Sequence, residues 1–335
     1  MDVRTLIDGA LELTVVGSFS RIGYAVRRRL DQWTGPPPDA LAGRTVLITG
    51  PTSGLGRTTA GAVAALGARV VLVGRDETRL GVVRDELAAA HGEDRFPTVV
   101  ADMSSIESVG AAVTRIREGE PRLDILIDNA GAMFPDRRET ADGLEATFAT
   151  MVVGPFVLAA GLLPLLRRSE RARVIAVTSG GQYAQGLDLD DLQSTRGAFS
   201  GPRVYARAKR AQVAIVREWA RRLGEPERSG VAMNAMHPGW ADTPGIEGAL
   251  PGFSRVMGPL LRTPVEGADT IVWLATAPEA ATISGRLFLD RRPRPFDRVP
   301  VTRLSAAERR RLWDIVVGLA GIRDPLEDEA VVSHR

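Results

Sequence analysis

From Thr45 onward the chain alternates short, continuous apolar runs with helix-length stretches, and no other feature restricts the available folds as strongly. The runs fall at 45–49, 69–73, 96–101, 123–127, 173–177, 231–236 and 285–289. Helical segments lie between them near 57–66, 104–118, 142–167, 203–223 and 264–277. A strand apolar on both faces is one covered on both faces, and right-handed crossovers put helices on each side of a parallel sheet. The expectation is an α/β fold, a doubly wound parallel sheet of about seven strands with helices on both faces. No linker divides 43–290, so this stretch reads as one domain, flanked by helical extensions at 1–42 and 291–335. In such a sheet ligands bind beyond the carboxyl ends of the strands, where the strand order reverses.

Composition narrows the chemistry. The 335 residues include no cysteine, which excludes disulfide scaffolds, thiol nucleophiles and cysteine-bound metals, and the net charge of +2 does not mark a nucleic-acid binder. Of the 43 basic residues only Lys209 is a lysine.

The N-terminal apolar stretches are broken by Arg4, Asp8, Glu12 and Arg21, so none reaches the roughly 20 apolar residues of a membrane span. Without a secretory pattern either, the expected location is cytoplasmic. Residues 1–33 form one or two short helices with a ragged apolar face, packed on the main domain or, alternatively, making a membrane-surface or oligomer contact. Pro36, Pro37 and Pro38 then break the chain. Residues 286–311 carry nine arginines against Asp290, Asp297 and Glu308, read as a solvated face. Ser305 and Glu308 have capping-box spacing before a last helix.

After the first strand come Thr49-Gly50-Pro51-Thr52-Ser53-Gly54-Leu55-Gly56. Gly50 suits a tight turn, Gly54 lets backbone approach a pyrophosphate, and Gly56 permits close helix–strand packing; the helix N-terminus adds N–H donors. A plain βα loop is the other reading. The second strand ends in Gly74-Arg75-Asp76, with glycine where a ribose-binding carboxylate would stand. Arg75 favours a 2′-phosphate, hence NADP(H) over NAD(H).

Lys209 follows Tyr205, one of three tyrosines, by four residues. On a helix such residues share a face. There an ammonium can lower a phenol's pKa and make it a general acid or base. Ser179 ends the fifth strand, where its hydroxyl can bond a substrate oxygen beside the phenol.

Taken together, these motifs make residues 43–290 resemble a short-chain dehydrogenase/reductase, a Rossmann-type fold. The cofactor turn, Asp128-Asn129-Ala130-Gly131 after the fourth strand, Ser179, Tyr205, Lys209 and Pro238-Gly239 match in order. Asp191-Leu192-Gln193-Ser194, His237 to Gly245 and Asp290 to Pro293 are similar, more narrowly, to the dehydrogenase/reductase member 12 branch. The resemblance implies hydride transfer between a nicotinamide and a carbonyl or alcohol carbon. Ser179, Tyr205 and Lys209 would be catalytic. Thr49, Gly50, Ser53, Gly54, Leu55, Gly56, Arg75, Asp102, Met103, Asn129, Ala130, Gly131, Pro238, Gly239 and Thr243 would line the cofactor site, with Tyr205 and Lys209. It also implies a homodimer or homotetramer, which terminal extensions could block.

One departure from the family pattern bears on activity. Family members carry Asn where Phe148-Ala149-Thr150-Met151 ends, and methionine cannot hold the water that connects the lysine to solvent. Met151→Asn should therefore raise turnover if proton relay limits it; the alternative is a cofactor-binding regulatory protein with weak or no turnover. The resemblance also implies a substrate lid at about 240–262; Trp240, Ile246, Leu250 and Phe253 there either favour a lipophilic carbonyl or alcohol substrate or are ordinary core contacts of a lid helix. Tyr183 would add an aromatic wall, and His237 is read as structural.

Overall fold

The computed structural model describes residues 3–242, 252, 255 and 257–327. Three short helices come first: α1 (Val3–Glu12), α2 (Val15–Phe19) and α3 (Arg21–Leu30). The alternating unit follows as β1 (Thr45–Thr49), α4 (Gly54–Ala65), β2 (Arg69–Gly74), α5 (Glu77–His91), β3 (Thr98–Val100), α6 (Ile106–Gly119) and β4 (Ile125–Asp128). After β4 a short α7 (Ala146–Phe148) passes through a π-helical turn at Ala149–Val153 into α8 (Gly154–Leu166). Then come β5 (Ala172–Val177), α9 (Gly201–Leu223), α10 (Pro226–Ser229), β6 (Val231–Met236), α11 (Pro264–Thr276), β7 (Leu287–Leu289), β8 (Arg292–Arg294) and α12 (Ala306–Ala320).

The strands form one sheet ordered β3-β2-β1-β4-β5-β6-β7-β8, parallel except for β7–β8. The order reverses between β1 and β4, which fixes the crevice at their carboxyl ends. All five residues of β1 and all six of β6 are buried, as expected for strands sandwiched by helices. One apolar layer packs α6, α8, α9 and α12 on the sheet; the other packs α4, α5 and α11. By length and mean hydropathy (2.1) Ala146–Leu166 could cross a membrane, but 78% of that window is buried, which makes it a core helix.

The C-terminal extension departs from the sequence reading. It contributes the eighth strand, so the boundary at 290 cuts a hairpin rather than a linker. Asp290 and Arg291 turn that hairpin with φ of 55° and 57°, the twin positive dihedrals that suit a two-residue loop. Ser305 and Glu308 do form the reciprocal cap of α12. Trp313 of α12 packs edge-on against Trp219 of α9 (4.9 Å between centroids) and Phe156 of α8 (4.9 Å), covering the α8–α9 face.

The arginine-rich stretch is a solvated face only in part: Arg286, Arg303, Arg310 and Arg311 are exposed, but others are not. Arg294 bonds Asp8 (2.7 Å), Arg292 bonds Asp8 and Asp31, and Arg298 bonds Glu12. These guanidiniums are turned inward onto the acids of the N-terminal helices.

Candidate active site

A cavity of about 1180 Å³ runs along the carboxyl ends of β1–β6. At one end Gly50, Ser53, Gly54, Leu55 and Gly56 line it. The glycines are required: Gly50 has φ +67°, Gly54 has φ +51°, and a Cβ on Gly56 would lie 2.1 Å from the Gly50 carbonyl. The Asn129 amide ties this turn to the β4 loop by donating to the carbonyl oxygens of Thr49 (2.9 Å) and Gly50 (3.2 Å). Thr49 itself does not line the cavity, contrary to the sequence reading. Fully buried, its Oγ1 accepts from the backbone N–H groups of Asn129 (3.0 Å) and Ala130 (2.9 Å), so it holds two cavity loops together.

Arg75 and Asp76 line the same end, and so does Arg79, which sequence reasoning missed. The Asp76 carboxylate caps α5 by accepting from Arg79 N (3.0 Å), and the Arg75 and Arg79 side chains line this end of the cavity. The signal was available, since Arg75 and Arg79 are four apart across a helix start. Asp102 and Met103 line the adjoining wall, with Asp102 Oδ1 accepting from Ser104 N and Oγ. Ala130, Gly131, Pro238, Gly239 and Trp240 complete the lining near the other end, together with Phe134, Gln185 and Arg203, which the sequence did not single out. Thr243 and most of the lid lie outside the described residues.

At that other end Ser179, Tyr205 and Lys209 converge. Helix α9 carries the last two on one face, and β5 delivers Ser179, whose Oγ accepts from Gly181 N (3.2 Å). Burial pushes the Tyr205 phenol above its ordinary value of 10, with the Ser179 hydroxyl working the other way. The expected lowering by Lys209 is not what the geometry delivers. The ammonium sits 5.9 Å from the Tyr205 ring centroid and donates instead to the carbonyl of Val177 (2.7 Å) and to Gln212 Oε1 (3.3 Å).

Gln212 in turn donates to Asp128 (2.9 Å), which also accepts from Thr49 Oγ1 (3.4 Å). Burial drives the Lys209 ammonium down to about 8, against the pull of Asp128. It drives the Asp128 carboxyl up to about 6, against the pull of Lys209, Gln212 and Thr49. The fully buried Met151 sits on the π-helical turn, its sulfur against Gly131. The polar contact that methionine cannot offer Lys209 is made here by Gln212 with Asp128.

Tyr183 does not form a wall of the cavity. It is buried behind Ser179, gives its hydroxyl to the Pro295 carbonyl (2.7 Å) and stacks near Phe19 (6.3 Å). His237 is buried, its pKa pushed well down by burial and by surrounding arginines, and it faces Phe19 edge-on (4.7 Å), in keeping with a structural role. Asp191 builds a turn by accepting from Thr195 and Arg196, and Gln193 accepts from Glu145 N (2.7 Å). That similar stretch thus braces the entry to α7 rather than the cavity.

The short chain dehydrogenase family model matches residues 44–249. The chain belongs to this family. It is 41% identical over 283 residues to dehydrogenase/reductase SDR family member 12 of Bos taurus, covering 84% of this chain and 87% of that one. It is also 35% identical to retinol dehydrogenase 14 of Mus musculus over 88% of this chain and 91% of that one. A solved short-chain dehydrogenase from Pseudomonas syringae superposes with a TM-score of 0.63 at 25% identity, over 76% of this chain and 96% of that one. The family consists of oxidoreductases that bind NAD(P) and act on small alcohols or carbonyl compounds, and the cavity fits such a group: glycines where a phosphate needs close approach, and a phenol and an ammonium at the far end.

Proposed function

We propose that the chain is an NADP(H)-dependent oxidoreductase that interconverts a lipophilic alcohol and its carbonyl compound. One observation carries the reading: a cavity of about 1180 Å³ has Arg75 and Arg79 with the glycine turn at one end and Ser179, Tyr205 and Lys209 at the other. The nicotinamide supplies or takes up the hydride when bound. Tyr205 gives its phenol proton to the carbonyl oxygen in reduction and takes it from the alcohol in oxidation, while the Ser179 hydroxyl holds that oxygen. Lys209, a cation near neutral pH, is held by Val177 O and Gln212 within the wall where ribose hydroxyls would lie. Trp240 and Phe134 give the substrate end its apolar character, and relatives named retinol dehydrogenase 14 and polyprenol dehydrogenase support a lipophilic substrate. The deciding experiment is a panel of carbonyls with NADPH and alcohols with NADP⁺. No turnover with any of them, despite tight NADPH binding, would defeat the reading.

The cofactor preference makes a separate prediction. Replacing Arg75 and Arg79 together by alanine should weaken NADPH binding by about 10–100-fold, the scale of one or two bonds to a charged group, and leave NADH nearly unchanged. Fluorescence titration reads both. Tighter NADH than NADPH binding by the unaltered protein would overturn the assignment.

The Asp128–Gln212–Lys209 chain predicts a pH profile. Activity needs Lys209 charged and Asp128 ionised, so kcat/KM should fall below about pH 6 and above about pH 8. In Asp128→Asn the acid limb should vanish. Its alkaline limb should move to lower pH, because the carboxylate charge that raises the Lys209 pKa is gone. An unmoved alkaline limb would show that the pair is not coupled to turnover. Since Gln212 already serves Lys209, Met151→Asn should raise kcat less than about tenfold if it raises it at all; steady-state rates decide this.

A further inference from the structure

The N-terminal helices bury charge and expose aliphatic side chains. Beside the aromatic Phe19 and Tyr24 and the small Gly23, their buried positions are Asp8, Ser18, Ser20 and Arg27, whereas Val3, Leu6, Leu13, Val15, Val16 and Ile22 are all 45% or more exposed. Globular helices bury the apolar stripe and expose the charge. Here the carboxylates of the described helix α1 of this arm, Asp8 and Glu12, are drawn inward by Arg27 and by Arg292, Arg294 and Arg298 of the C-terminal extension. The aliphatic side chains are left outside.

The same end of the molecule gathers further apolar exposure. Val299 and Val301 follow Arg298, which bonds Glu12, and Val265 precedes Glu266, which bonds Arg21 (3.1 Å). Nine of the eleven large aliphatic side chains exposed among the described residues therefore belong to the arm or to segments bonded to it. Such a concentration marks a contact surface, since isolated exposed aliphatics would be scattered. Among the described residues of helices α1–α3, 3–30, the exposed charges are all of one sign: Arg4, Arg21, Arg28 and Arg29.

We propose that this arm is a peripheral docking surface for an anionic lipid bilayer. Aliphatic side chains entering the acyl boundary beside guanidiniums that meet headgroup phosphates is the pattern that binds such an interface. A second copy of the chain fits less well, because apposing two such faces would bring like charges together. The arm is rigidly seated. Phe19 O accepts from Trp240 N (2.8 Å), and its ring lies where a Cβ on Gly180 would approach to 2.5 Å. Trp240 lines the cavity, so docking would set the substrate end beside the lipid, a consequence that rests on the redox reading above. The docking itself does not.

The test is co-sedimentation of the full chain with phosphatidylcholine vesicles, with and without phosphatidylglycerol. Binding is expected only with the anionic lipid and should weaken with salt. The double variant Leu6→Glu/Val16→Glu should lose it by more than about tenfold. Arg28→Gln/Arg29→Gln should weaken it by roughly 10–30-fold at about 1 kcal/mol per arginine. All these side chains are exposed, and an unchanged Tm with unchanged NADPH binding confirms intact protein. Absence of binding to anionic vesicles, equal binding by the variants, or a dimer that the aliphatic variant dissolves would each overturn the proposal. Vesicle binding by a chain without turnover would sink the redox reading alone; turnover without vesicle binding would sink the docking alone.

Discussion

Tyr205→Phe should lower kcat by roughly 10²–10⁴-fold, the usual contribution of a positioned general acid or base, and leave NADPH binding nearly unchanged. The substitution removes one oxygen. The ring remains, so Lys209 keeps its place 5.9 Å from the centroid and its bonds to Val177 O and Gln212. Ser179 keeps its bond from Gly181 N, and the cavity walls are otherwise unaltered. The loss therefore isolates proton transfer, which makes this the cleanest probe of the mechanism. Because burial holds the phenol above 10, its neutral, proton-giving form prevails across the working range. The reducing direction should accordingly tolerate a higher pH than a neutral-pKa acid would allow, up to the point where Lys209 loses its charge near 8. Measuring kcat with the best carbonyl of the panel, beside NADPH titration, checks the expectation. A loss below about tenfold would mean that another group delivers the proton.

Much of this site was legible because its signals are local. The turn Gly50–Gly56 sits on one strand–helix junction, and Tyr205 and Lys209 are one helical turn apart. Continuous apolar strands such as Val70–Val73 announce a covered sheet without tertiary information. What escaped notice depends on residues brought together across the chain. Asp128 meets Gln212 from 84 positions away, so the partners of Lys209 could not be found by reading around it. Arg294 meets Asp8 from 286 positions away, and a run of arginines looks solvated until its acids are located. Arg292-Pro293-Arg294 has none of the marks of a strand; it pairs only because it lies at an edge, where proline is tolerated. The π-helical turn at Ala149–Val153 has no compositional signal, yet it is what seats Met151 against Gly131.

The same long-range charge network yields the largest expected effect on stability. Asp290→Asn should destabilise the fold by about 3–5 kcal/mol, the cost of leaving buried charge uncompensated. Asp290 is 1% exposed and is shared by two buried guanidiniums, Arg27 at 2.6 Å and Arg262 at 2.6 and 2.9 Å. Asparagine keeps the shape and tolerates φ +55°, so backbone strain does not enter. What changes is the charge between two cations. Arg27 retains Asp8 and Glu12, but Arg262 would be left with the carbonyls of Ser18, Ser20 and Pro238 alone. Since Arg262 and Arg27 both also hold Ser18 O, the loss should reach the arm and, through Phe19, the loop carrying Trp240. Urea unfolding measures the first effect. Easier proteolysis within residues 3–30, appearing before global unfolding, measures the second. A change smaller than about 1 kcal/mol, the scale of an exposed pair, would mean that water reaches the cluster and that the arm is not held by it.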